Sequence, residues 1–438
     1  MRLIHVSDMH LGIFPRAYPK IDAITGIRIR SEDFTNSFLF VTDFAIKENV
    51  DLVLMCGDVF DRIDPVNKVR KDVLDSLTTL TQKGIKVVII GGNHDTPRFP
   101  GSASPLQLLD HIKNVTVCHR PTPEPLTIRT SADLDEVDIY PFPYLSPARW
   151  FDLKDQSDLR VAEKELTIAD RQRIVVNTIK TVLRDMANIA ISRVRHKSIL
   201  MMHYMIEGSD IGHTTYVTND IVLPRTVIPF RDFGYTACGH IHKYQRISQP
   251  SDEAMAFYSG STERTSFNEY DEEKGFILLD TARDDQFVAE FIKIPTRPMK
   301  LVEFKVPEAK SDEKSAKDSL MNFMKKLEQL KANGEEREAI IRILIRNATS
   351  ELKTNLNLKQ DAINAILKSA FYWDMDFELR KDEVHPSVSA GEVFLKPSEE
   401  LTRYVSAVKK MSEGEKKQII RLGEKILGEV LEKTGEEQ

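Results

Sequence analysis

Eight side chains that seek metals or move protons stand directly behind short apolar runs: Asp8, His10, Asp58, Asn93, His94, His203, His240 and His242. The runs are Leu3–Val6, Leu52–Cys56, Val87–Ile90, Ile199–Met202 and Tyr235–Cys238. Imidazole, carboxylate and amide oxygen together suit divalent ions of intermediate hardness such as manganese, iron or zinc, and the lack of cysteine in the set argues against a structural zinc site. A carboxylate has two oxygens and can bridge two ions roughly 3.5–4 Å apart, the arrangement used for in-line displacement at phosphorus. Asp58 is the bridging candidate. Five of the eleven histidines fall in this set, whereas His5, His111, His119, His196, His213 and His385 lack such company and read as core or surface residues.

The elements that must position these groups are strands. All five runs are short and apolar, as strands buried on both faces are, and in open α/β sheets functional groups gather beyond the carboxyl ends of the strands. Sequence separations above two hundred residues are then no obstacle to contact. The i, i+2 pairs Asp8/His10 and His240/His242 are expected to be extended, with each pair pointing one way. Gly57-Asp58 and Gly91-Gly92-Asn93-His94-Asp95 also read as turns, because Gly, Asn and Asp favour such backbone shapes.

In this order, Asp8-x-His10, Gly57-Asp58, Gly92-Asn93-His94-Asp95, His203 and Gly239-His240-x-His242 resemble the calcineurin-like metallophosphoesterases. Val6–Gly12, Gly57–Asp61 and Tyr258–Glu269 narrow the resemblance to the nuclease subunits of the DNA double-strand-break repair complex, the meiotic recombination eleven and SbcD type. The motifs span about residues 1–275. The resemblance implies one ion held by Asp8, His10, Asp58 and His242 and a second by Asp58, Asn93, His203 and His240, most often manganese. It also implies that His94 contacts the scissile phosphate or protonates the leaving oxygen without binding metal. Asp95 is expected to orient His94, since the second nitrogen of a working histidine needs a fixed partner. One position departs from the pattern: many relatives carry histidine three residues after the bridging aspartate, where this chain has Asp61, followed by Arg62.

The chain of 438 residues is 41% hydrophobic, enough for two or three domains. With 61 basic and 67 acidic residues its net charge is −6, which excludes coating nucleic acid by bulk charge. DNA contacts are therefore sought in local patches beside the motifs: Arg16, Arg62, Arg98 and Lys243 foremost, with Arg28, Arg30, Lys68, Arg70, Lys71 and Arg246 around them. Cys56, Cys118 and Cys238 show no paired spacing, which fits a reducing compartment. No apolar run approaches the ~20 residues a bilayer requires and no leader precedes the first strand, so a cytoplasmic protein without membrane contact is expected.

The expected fold class is α/β: β-sheets flanked by helices over residues 1–295, a small α+β capping domain over 296–390, and a helical hairpin over 391–438. Helices are expected over 67–83, 105–113 and 161–192; the resemblance places a homodimer contact on the first two. The capping segment reads strand, helix, strand, helix, strand, with Tyr372 and Trp373 as core or as stacking platforms for bases. Leu401, Val405, Ile419, Ile426 and Leu427 form an apolar stripe in the terminal segment, an expected partner surface. The resemblance supplies its partner, the coiled-coil base of an ABC-type ATPase.

The sequence thus points to a metal-dependent nuclease, exonuclease and single-strand endonuclease, acting on DNA ends in break repair. Two rivals are a general phosphodiesterase or phosphatase with the same cluster and a catalytically silent scaffold. The cap and tail speak against the first, and the complete ligand set against the second.

Overall fold

A computed structural model describes residues 1–14, 29–97, 102–130, 135–152, 167–193, 197–213, 221–248, 254–281, 287–307 and 313–380, and toward the C-terminus 401–402, 405, 414 and 416–423. The first sheet contains β1 (Arg2–Val6), β2 (Leu52–Cys56), β3 (Lys86–Ile90) and β4 (Val115–Cys118), all parallel. A second has β5 (Leu126–Arg129), β6 (Glu136–Phe142) and β7 (Ser198–His203). After the short pair β8 (Met205–Ile206) and β9 (Val222–Leu223) it continues with β10 (Tyr235–Gly239), β11 (Gln245–Arg246) and β12 (Ala256–Tyr258). Then β13 (Gly275–Thr281) and β14 (Phe287–Lys293) return to the first sheet, giving two six-stranded sheets ordered β14-β13-β1-β2-β3-β4 and β11-β12-β10-β7-β6-β5.

Strand alternation decides the layers. Leu3, Leu52, Leu54, Val88 and Ile90 face Ile139, Ile199, Met201 and Ala237 in one core between the sheets. Their neighbours Ile4, Val6, Val53, Met55, Val87 and Ile89 face outward onto Phe34, Phe38 and Val41 of helix Ile29–Lys47 and Val73, Leu77 and Leu80 of helix Asn67–Gln82. On the far side Val175, Ile179, Leu183 and Met186 of helix Ile168–Ser192 cover Leu200 and Met202. Thr167 caps that helix by accepting from the Asp170 N–H at 3.1 Å. Gly84, at φ +83°, follows the end of the helix over 67–82. The expected helix over 105–113 is a 3-10 turn, Pro105–His111, with Ser104 accepting from the Leu106 N–H.

The described cysteines are all buried and free, and no helix among the described residues is long and apolar enough to cross a membrane.

Residues 299–379 build a separate layer from β15 (Met299–Lys305), β16 (Ile340–Ala348) and β17 (Tyr372–Leu379). All pairings are parallel, with helix Glu313–Ala332 and then two short helices, Ser350–Leu358 and Gln360–Ile366, carrying the crossovers. This corrects the α+β expectation: helices interposed between strands make parallel neighbours, hence an α/β unit. Val302, Ile341, Ile343 and Ile345 meet Phe323, Leu327, Leu352 and Leu356 on one face, with Trp373 partly buried there. Of the expected terminal stripe, Leu401, Val405 and Ile419 are described and Ile426 and Leu427 lie outside the described residues; a Cβ on Gly423 would stand 2.4 Å from the Leu401 side chain, so the two terminal pieces touch.

A seam joins this unit to the two-sheet body. Phe267 packs with Met299, Ile340 and Phe371, and Tyr372 lies against the same group. Arg297 donates to both oxygens of Asp33 at 2.7 and 2.8 Å, reaches Glu338 at 3.0 Å, and lies 4.1 Å over the Phe371 ring. A planar fork held bidentately on a carboxylate and stacked on an aromatic is a contact lysine cannot reproduce. Arg297→Ala should lower stability in a denaturant titration by about 1–3 kcal/mol, because Asp33, 12% exposed, then keeps only Arg30 as a partner and Phe371 loses the stacked guanidinium, and Arg297→Lys should recover only part.

Candidate metal centre

The five strands deliver their residues to one edge, but not by extended alternation. β1 ends at Val6 and β10 at Gly239, and Asp8, His10, Asp58 and His240 adopt φ of 52°, 45°, 51° and 103°. The expectation that the i, i+2 pairs converge as extended chain is therefore corrected: left-handed turns re-aim them. A non-glycine residue in that region costs of order 1 kcal/mol or more and persists only where surrounding contacts over-determine it. Those contacts are present. The Asp8 N–H donates to Gly57 O at 3.1 Å, the His10 N–H to Asp58 O at 3.0 Å, and the His240 N–H to the Asp8 carboxylate at 3.0 Å. Gly92 must be glycine, because a Cβ would sit 2.1 Å from Asp58 Oδ1.

The seven expected ligands meet. His10 Nε2 and His242 Nε2 are 3.0 Å apart, and Asn93 Oδ1 lies 3.0 Å from both His203 Nε2 and His240 Nδ1. Asp58 Oδ2 is 3.3 Å from His203 Nε2 and 3.9 Å from His10 Nε2, so one carboxylate reaches both halves of the cluster. Ligand atoms of Asp8, His10 and His242, of His10, Asp58 and His94, and of Asp8, Asp58 and His203 each fall within 4.8 Å of one another.

Chemistry at the outer nitrogens shows that this is a place for a cation. His203 Nδ1–H donates to Cys56 O at 2.7 Å, which leaves its Nε2 lone pair facing the Asn93 and Asp58 oxygens. His242 Nδ1 is held by Glu269 Oε1 at 3.0 Å, which turns its Nε2 lone pair toward His10 Nε2, while His10 Nδ1 is buried 3.4 Å from Asp61 Oδ1 without a hydrogen bond. Two ring nitrogens 3.0 Å apart are held together only by a proton or a metal ion between them. The residues present fit divalent ions.

Without metal, protons take that role. Burial opposes a charged His203, but Asp58 outweighs it and raises its pKa to about 9. Burial likewise opposes Asp58 ionisation, yet the neighbouring histidines hold its carboxyl well below the usual range. His240 goes the other way, lowered to about 3 by burial and by His203.

The remaining expectations divide. His94 stands beside the cluster with 41% of its side chain exposed, its ring edge-on to His10 at 4.7 Å. Asp95 does not orient it. The Asp95 carboxylate accepts from the Gly92 N–H at 2.7 Å and the Val59 N–H at 2.8 Å, clamping the two loops together, and burial with Asp58 nearby raises its pKa to about 7. His94 Nδ1 instead meets Asp61 O at 2.8 Å. Arg16, Arg28 and Arg98 lie outside the described residues. Arg62 is exposed next to Asp61, and Lys243 is ion-paired with Asp210. Arg30 is removed from the surface patch: it is buried between Asp33 at 3.0 Å and Glu263 at 3.1 Å. His5 is core, bonded to Tyr235 Oη and Cys238 O.

Asp61, Glu269 and Ser7 stand inside the sequence motifs, yet no pattern of residues there identifies their partners. Ser7 Oγ donates to Asp8 Oδ2 at 2.5 Å, and Glu269 is fully buried. Charged residues in a loop carry no sequence signal of burial.

A pH dependence follows. His203 has a raised folded-state pKa, so its contribution is fully present below the unfolded value near 6.5 and is lost as pH rises through about 9. Melting of the chelator-stripped chain should therefore fall by a few °C between about pH 6.5 and 9, while a metal-loaded sample, whose ion replaces the proton, stays flat. A flat profile for the stripped chain would contradict the assignment.

Comparison with known proteins agrees with the geometry. The family model described as calcineurin-like phosphoesterase matches residues 1–244. The DNA double-strand break repair protein Mre11 of Methanocaldococcus jannaschii is 28% identical over 317 residues, 71% of each chain. The protein of the same name from Saccharolobus solfataricus is 23% identical over 449 residues, 99% of this chain and 98% of its own. The nuclease SbcCD subunit from Bacillus subtilis is 26% identical over 286 residues, 64% of this chain and 66% of its own. By this match and the site that accompanies it, the chain belongs to the calcineurin-like phosphoesterase family.

Proposed function

We propose that this chain is a manganese-dependent DNA nuclease, exonuclease and single-strand endonuclease, that processes DNA ends in double-strand-break repair with an ABC-type ATPase. The observation that carries the reading is Asp58: one carboxylate within 3.9 Å of histidines from both halves of the cluster, beside a half-exposed His94. Relatives named for double-strand break repair and for a nuclease support the choice of DNA as substrate.

Two divalent ions, Asp8, His10, Asp58 and His242 holding one and Asp58, Asn93, His203 and His240 the other, would supply Lewis acidity toward phosphate oxygens and a water acidified toward neutrality. The chain's own residues do the rest. Asp58 keeps the two halves in register, and Asp95 fixes the loops that carry Asp58 and Asn93. His94, with Nδ1 tied to the Asp61 carbonyl, has its other nitrogen left for the scissile phosphate or the leaving oxygen. Arg62 and Lys243 are proposed phosphate contacts, the latter after exchanging Asp210 for the DNA backbone. The residue 299–379 unit, docked on the same body, acts as the DNA-guiding cap, with the segment from 391 as the ATPase-binding element. A homodimer through the helix over 67–82 and the turn over 105–111 is supported by exposed Val66 and Leu108 there.

His94→Ala should lower manganese-dependent cleavage of end-labelled DNA by about 10²–10⁴-fold while two ions and DNA affinity remain; loss of metal would contradict its role. Asp58→Asn should abolish cleavage together with metal uptake. A small chromogenic phosphodiester cleaved when DNA is not would favour the general phosphodiesterase. Deleting residues 397–438 should leave manganese-dependent cleavage intact and prevent ATPase association in a pull-down.

A further inference from the structure

Glu269 occupies a position that the proposed ligand set does not explain. It lies on the 3-10 turn Phe267–Glu269 and is wholly buried. Its Oε1 stands 3.0 Å from His242 Nδ1 and accepts from Thr265 Oγ1, which itself lies 3.3 Å from that nitrogen. Its Oε2 lies 2.7 Å from Lys274 Nζ. Lys274 is buried too, and its ammonium also meets Glu272 at 2.7 Å and the His242 carbonyl at 3.0 Å. A buried carboxylate and a buried ammonium in contact are retained at a desolvation cost, and removing one member strands the other. Solvent-exposed charge would be cheaper, so the pair asks for a purpose beyond stability.

We infer that Glu269 is a positioning residue for His242: by accepting from Nδ1–H it fixes the ring and its tautomer, so that Nε2 carries the lone pair that faces the cluster. Lys274 makes a carboxylate tenable at that depth and ties the same ring's backbone carbonyl. Carboxylate–histidine partnerships of this kind orient a ligand and raise its basicity, and losing one typically costs 10–100-fold in metal affinity. The consequence extends beyond the site, because the turn that holds Glu269 also holds the seam. Phe267, two residues earlier, packs on Met299, Ile340 and Phe371, and the Arg342 guanidinium of β16 lies 4.6 Å over its ring. One short turn therefore grips the 299–379 unit with one side chain and a proposed metal ligand with another.

This rests on the two-ion reading above, and the experiment separates the two. The chelator-stripped full chain is titrated with manganese, with bound ions counted by equilibrium dialysis and the exchange-coupled pair read by electron paramagnetic resonance. Glu269→Ala is expected to weaken one ion by about 10–100-fold and leave the other nearly unchanged, with the coupled signal lost at manganese concentrations that saturate the wild type. Glu269→Gln, which keeps an oxygen acceptor for Nδ1–H, should restore the pair. If Glu269→Ala does not fold, the triple variant Glu269→Ala/Glu272→Gln/Lys274→Met removes the buried charges together and should show the same one-ion loss. Two ions at wild-type affinity in a folded variant, or equal weakening of both, overturns the inference. A wild-type chain that takes up fewer than two ions overturns the two-ion reading instead.

Discussion

The structure is organised around a repulsion. Oxygens of Asp8, Asp58 and Asn93 and ring nitrogens of His10, His203, His240 and His242 converge in a buried crevice, with His10 and His242 nitrogens 3.0 Å apart. Outer hydrogen bonds from His203 to Cys56 O and from His242 to Glu269 turn lone pairs inward. In a low-dielectric setting such an arrangement is tenable only when positive charge occupies the centre. The same charge is what a phosphodiester gains from in its transition state, where negative charge spreads over the phosphate oxygens. Strain in the free site and stabilisation of the reaction are two aspects of one arrangement.

Holding that arrangement takes rigid surroundings. The ligands hang from the carboxyl ends of parallel strands whose two faces are both buried, one against the opposite sheet and one against helices. Left-handed turns at Asp8, His10, Asp58 and His240 bend the chain at the crevice, and backbone bonds from Asp8 to Gly57 and from His10 to Asp58 lock the turns to each other. Close approach is part of it: a side chain at Gly239 would meet Cys56 O at 2.1 Å. The two sheets must come this near for groups from both to share one site.

Much of this was legible in the sequence for a definite reason. Apolar runs of strand length followed by metal-seeking residues specify both the element and the end at which the chemistry lies. The side chains that converge and the strands that present them were therefore readable residue by residue. The turn geometry at Asp8, His10 and His240 was not readable, because Asp and His enter positive φ more often than most residues but far less routinely than glycine. Asp95 was misassigned to His94, since adjacency in sequence says nothing about which backbone N–H groups a carboxylate reaches. Arg30 looked like surface charge, and only tertiary structure shows the acids Asp33 and Glu263 that pair with it. The α/β character of the 299–379 unit turned on strand direction, which strand-and-helix patterning alone left open.

The residue 299–379 unit connects to the crevice through the turn at 263–272, where Arg264 donates to Glu269 O, Glu272 O and Thr296 while Phe267 enters the seam. In the proposed reading, catalysis depends on two ions sharing Asp58. Anomalous scattering from manganese-soaked crystals tests that directly. The account predicts two peaks roughly 3.5–4 Å apart with Asp58 bridging them and His94 bound to neither. A single peak, or two that do not share Asp58, would contradict it.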